Sequence, residues 1–90
     1  LKLVMAQGVA VTYRWTTDRG VVNYDTHGDA PGTPNSYFGY GKGSGAASDQ
    51  GTLIAQFDGN HGWFWRNRTG DTLTITLTVQ GGYRDIILPR

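Results

Sequence analysis

Asp25 and His27 stand two positions apart in the run Val-Val-Asn-Tyr-Asp-Thr-His. On a strand that spacing sends both side chains from one face, about 6–7 Å apart. A second histidine, His61, opens the run His-Gly-Trp-Phe-Trp. If the two strands are neighbours, Asp25, His27 and His61 converge. Two imidazoles and a carboxylate make an acceptable ligand set for Zn²⁺, Cu²⁺ or Ni²⁺. The weightier reading is structural: each imidazole hydrogen-bonds a nearby backbone group or carboxylate while its ring packs beside an indole.

Tyr37, Phe38, Tyr40 and Lys42 form a second group, set in a glycine-rich stretch. Three aromatics in four residues are hard to bury together, so at least one faces solvent as a contact residue. The glycines do not make a phosphate loop. Lys42 is followed by Gly43 rather than Ser or Thr, and nothing helical follows to aim a dipole at an anion. Catalysis has little to stand on, with no cysteine and no Gly-x-Ser-x-Gly elbow. Ser36, His27 and Asp25 can be assembled on paper, but nothing orients the serine. The reading is therefore non-enzymatic.

These residues need strands to position them, and strands are what the pattern supplies. Residues 72–79 alternate cleanly, with Leu73, Ile75, Leu77 and Val79 one way and threonines the other. Residues 9–16 repeat the pattern, with Val9, Val11, Tyr13 and Trp15 on one side. Residues 21–27, 51–57 and 62–67 read as further strands, and 2–7 and 83–88 as shorter ones. Turn chemistry separates them at 17–20, 58–60 and 69–71, and Gly81-Gly82 divides the last two. Residues 28–36 and 39–50 are the longer connections, the second expected to be flexible. Seven or eight short strands and no helix predict an all-β fold, a small antiparallel β-sandwich, jelly-roll-like. Trp15, Trp63 and Trp65 sit at inward parities and are expected to wedge its core. The competing reading makes them a surface platform for sugar.

Composition agrees with one small domain. Ninety residues bury only about 60–65% of the surface exposed by the unfolded chain. Three Trp, five Tyr and three Phe offset that, each ring removing about 150–250 Å² from water. A net charge of +1 leaves no electrostatic footprint for nucleic acid or an anionic membrane. The absence of cysteine removes disulfides and thiolate metal sites. Apolar runs such as 3–6 and 86–88 fall far short of the roughly 20 residues that span a bilayer.

The run Gly59-Asn60-His61-Gly62-Trp63-Phe64-Trp65-Arg66-Asn67, with the turn and alternating strand after it, resembles the C-terminal half of the GOLD domain. That family is the β-sandwich of lumenal cargo-receptor proteins, whose cysteine pair this sequence lacks. A closer resemblance is to the extracytoplasmic part of short bacterial transmembrane anchor proteins. Their Asp-x-His-Gly and His-Gly-aromatic-x-Trp pairing is matched by Asp25, His27 and Gly28 and by His61, Gly62, Trp63 and Trp65. The resemblance implies a non-enzymatic binding or adaptor module on a membrane-anchored protein, periplasmic or otherwise extracytoplasmic, with a protein partner. The anchor would lie in a segment outside residues 1–90, which read as one domain excised from a longer protein. A Zn or Cu site on Asp25, His27 and His61 is the competing expectation, and a carbohydrate-binding module the third.

Overall fold

Alternation of apolar and polar residues is realised along most of the chain. The computed structural model describes residues 1–32 and 37–88, and among these there are eight strands and no helix. They are β1 (Lys2–Met5), β2 (Ala10–Thr17), β3 (Val22–Asp29), β4 (Phe38–Ala46), β5 (Ser48–Ile54), β6 (Gly59–Arg66), β7 (Ile75–Gly81) and β8 (Asp85–Ile87). All pairings are antiparallel. A five-stranded sheet runs β4-β3-β6-β1-β8, and a three-stranded sheet β5-β2-β7 packs on it. The expected small β-sandwich is what forms.

The core is where the inward residues of the two sheets meet. Leu3, Met5, Val22 and Trp63 come from the larger sheet, and Val11, Trp15, Leu53 and Ala55 from the smaller sheet and its margin. Trp15 meets Tyr24 and Trp65 edge-on at centroid distances of 5.3 and 6.0 Å, and Tyr13 lies 5.2 Å from Trp63. Trp63 and Trp65, two apart on β6, stack 6.4 Å from each other. Such ring contacts add to the area that each indole buries. Trp15 is 0% and Trp63 1% exposed, and Trp65 is half-buried, so these indoles form no surface platform for a sugar.

Two stretches depart from the expectation. Residues 39–50, read as a flexible connector, instead contribute most of β4 and the start of β5. Glycines carry no side-chain alternation to read and have low intrinsic strand preference, which tertiary pairing overrides. Here β3 offers a partner edge, and Gly43 sits opposite Tyr24, where a Cβ would come within 2.6 Å of the ring. Strand β4 also slips register twice against β3, once between Val22 and Tyr24 and once between Thr26 and His27. In the second bulge Tyr40 is the extra residue, because Thr26 pairs with Gly41 and His27 with Gly39. Residues 58–60 form a turn only at their start, since Gly59 and Asn60 already pair with Met5 and Val4.

The expected strand 72–79 begins only at Ile75, and Leu73 before it and Ile75, Leu77 and Val79 within β7 are only half-buried, because β7 lies at the edge of the smaller sheet. The tryptophan layer should carry more of the stability. Trp63→Ala is expected to cost about 3–5 kcal/mol in urea unfolding followed by circular dichroism. A loss below about 1 kcal/mol would contradict a core role for that ring.

Candidate functional site

Strands β3 and β6 lie side by side, as the convergence of Asp25, His27 and His61 requires, but the side-chain parity separates the three. Thr26 faces Trp63 and Gly28 faces His61 on the inner side of the sheet. Asp25 opposite Phe64 and His27 opposite Gly62 therefore point to the outer side. The sheet stands between His61 and the other two. Among the described residues no group of three or more His, Cys, Asp or Glu side chains is placed to hold a metal. A single position of register decides this, because neighbouring residues of a strand face opposite ways.

On the outer face, two separately expected groups combine. The Tyr37 hydroxyl donates to the Asp25 carboxylate, 2.7 Å from Oδ1 and 2.8 Å from Oδ2. Its ring stacks on His27 with centroids 5.0 Å apart and planes inclined by 23°. His27 Nδ1 lies 3.5 Å from Asp25 Oδ1, yet it makes no hydrogen bond among the described residues. Lys42 on β4 stands directly across from Asp25, with Phe64 on its other side, 58% exposed. Lys2 and Asp29 pair at 3.2 Å further along this face. Two open hollows adjoin β4, of about 350 and 470 Å³. Tyr37, Tyr40 and Lys42 border the first, and Asn23, Asp25 and Lys42 the second.

The hydrogen bond to Asp25 holds the Tyr37 hydroxyl above its ordinary pKa of 10.0, with desolvation and the carboxylate charge adding to the effect. Tyr37 thus remains a donor at neutral pH. Asp25 serves as its acceptor, and the phenol ring covers one face of His27. The arrangement is a fixed polar and aromatic surface with Lys42 at its rim.

His61 belongs to a different arrangement. Its Nε2 is 2.9 Å from the Phe57 carbonyl, which can only accept, so Nε2 carries the proton. Nδ1 is then an acceptor, and the Tyr40 hydroxyl donates to it at 2.9 Å. The Tyr40 oxygen in turn accepts from the Gln56 backbone N–H at 3.1 Å. Phe57 lies 4.7 Å from the His61 ring, and Phe38 packs 5.1 Å from Tyr40 and 6.2 Å from Phe57. Gly28 makes room for this group, because a Cβ there would overlap the imidazole. The glycine of the Asp-x-His-Gly run is thus a packing requirement of His61.

Of the residues singled out from sequence, Tyr37, Asp25, His27 and Lys42 come together outside. Tyr40 and His61 meet inside, with Phe38 at their margin and 42% exposed. Ser36 lies outside the described residues. Phe64 was missed, although its parity marks it: an aromatic between two inward tryptophans must face out. Comparison with known protein families finds no model that matches the chain, and no curated protein matches it either.

Burial lowers the His61 pKa below the ordinary 6.5, opposed in part by the Phe57 carbonyl and the Asp29 charge. The unfolded chain therefore binds more protons than the native one from that lowered value up to about 6.5. Stability should be fully present above this window and decline as the pH falls through it. Urea midpoints between pH 7.5 and 5 should show the decline, and His61→Gln should flatten it. Equal slopes in both proteins would remove His61 as the cause.

Proposed function

We propose that this chain is a non-enzymatic binding or adaptor module whose contact face is the outer side of β3, β4 and β6, and that its partner is a protein. The observation that carries this reading is the Tyr37–Asp25–His27 cluster. It fixes an exposed aromatic in place by a hydrogen bond shared between both oxygens of one carboxylate. Side chains held in this way lose little freedom on binding, which favours affinity. Tyr37 and Phe64, each 58% exposed, supply aromatic contact area, and Lys42, Asp25 and Arg66 supply a charged rim. Aromatic anchors ringed by polar groups are the usual anatomy of a protein contact. The resemblance to GOLD-like extracytoplasmic domains supports a membrane-anchored setting, with the anchor in another segment of the protein.

A second reading has one observation in its favour. His27 Nδ1, buried and without a hydrogen-bond partner among the described residues, lies 3.5 Å from Asp25 Oδ1, and the two side chains would furnish two ligands to a Zn²⁺ or Cu²⁺ ion without His61.

A photo-reactive residue at position 42 of the full-length protein, in its native membrane fraction, tests the first reading. It should yield a protein adduct that disappears with Tyr37→Ala, while the same probe at Thr12 on the opposite sheet yields none. Equal adducts at both positions, or no effect of Tyr37→Ala, would refute the chosen face. Titration with Zn²⁺ under NMR separates the second reading. A saturable shift of the His27 ring alone, lost in Asp25→Ala, would favour the metal. The adaptor reading expects both imidazoles to stay unchanged.

A further inference from the structure

Each sheet has two edges, and three of the four carry a recognisable guard against pairing with another chain. Strand β4 is interrupted by two bulges and carries Lys42. Strand β8 is three residues long. Strand β5 points a charge inward at Asp49, whose carboxylate accepts from Tyr13 at 3.3 Å. Bulges, shortness and inward charges are the devices by which edge strands avoid association. Strand β7, Ile-Thr-Leu-Thr-Val-Gln-Gly, has none of them. Its seven residues pair with β2 in unbroken register and include no charge and no proline.

The direction of its free backbone groups can be read from its start. Thr74 accepts from the Asp18 N–H at 3.0 Å and donates its own N–H to the Asp18 carboxylate at 2.7 Å, so both its groups face the β2 side. Alternation then turns those of Thr76, Thr78 and Gln80 toward β2 and those of Ile75, Leu77 and Val79 outward. The same three residues carry the half-buried apolar side chains. Read in either direction from Leu77, the strand offers threonine and then a β-branched apolar residue. An antiparallel copy therefore places Leu77 opposite Leu77, Ile75 opposite Val79, and Thr76 opposite Thr78. Each outward-facing pair exchanges both of its N–H···O bonds, and the threonines meet as favourable β-branched pairs.

We propose that β7 is a self-pairing edge, through which two copies of this chain join antiparallel about a two-fold axis at Leu77. The three-stranded sheet of one copy then continues into that of the other. Such an isologous contact closes on itself and leaves no further free β7 edge. It is independent of the contact face on the larger sheet, which stays uncovered.

Sedimentation velocity of the ninety-residue chain over a hundredfold concentration range should show a monomer–dimer equilibrium. Amide exchange should slow with concentration at Ile75, Leu77 and Val79, and stay unchanged at Thr76 and Thr78. Two variants test the register, with circular dichroism confirming that both fold. T76K/T78K sets lysine against lysine at both non-hydrogen-bonded pairs and should weaken the dimer by about tenfold or more. T76K/T78E sets lysine against glutamate in the same places and should restore it. A wild-type chain that stays monomeric throughout, or two variants that dimerise equally, would overturn the proposal.

Discussion

The packing of indoles between the two sheets is the constraint on which the other features depend. Trp63 and Trp65 turn inward from β6 and meet Tyr13 and Trp15 from β2. Once those rings are buried, the parity of β6 is decided, and the register with β3 decides that strand too. Asp25 and His27 are outside because Trp63 is inside. In a chain this small the aromatic layer supplies much of the apolar area removed from water, so the register cannot slip without exposing it. The ring nitrogens of Trp15, Trp63 and Trp65 have no hydrogen-bond partner among the described residues, a cost that the buried ring area must outweigh.

A second, smaller device ties the edge of the larger sheet to this core. Tyr40 reaches from β4 to His61, while its oxygen takes the Gln56 N–H and the imidazole donates to Phe57. Every donor in the chain of bonds has one acceptor, which leaves a single arrangement of protons. Burial also raises the pKa of the Tyr40 hydroxyl, with the Gln56 hydrogen bond opposing, so the phenol keeps the proton that it donates. This fastens the glycine-rich strand at one point, close to where Tyr37 leaves β4 on the other face.

The sequence was most legible where side chains alternate in type. Residues 72–79, 9–16 and 62–67 could be recognised as strands, and the inward parity of the tryptophans followed from them. Strand β4 was not legible, because Gly39, Gly41, Gly43 and Gly45 leave no pattern, and what makes them a strand is the open edge of β3. The outer cluster was half legible. The two-residue spacing of Asp25 and His27 placed them on one face. The bond from Tyr37 is a contact between chain segments that no local pattern encodes. The convergence with His61 failed for a local reason that could be read in advance: if Trp63 is inside, His61 is inside with it, while Val22 and Tyr24 turn Asp25 and His27 the other way.

The bulge at Tyr40 acts on side-chain direction as a frameshift acts on a reading frame. Upstream of it, Tyr37 points out and Phe38 in, while downstream Lys42 still points out, opposite Asp25. In an uninterrupted strand Tyr40 and Lys42 would share a face, and Tyr37 would turn toward the core. Moving that one extra residue along β4 would exchange the aromatics shown to solvent for those shown to His61 without altering the tryptophan layer. The glycines on either side supply the conformational freedom for such a move, so this edge can acquire new surface chemistry while the sandwich beneath it stays the same.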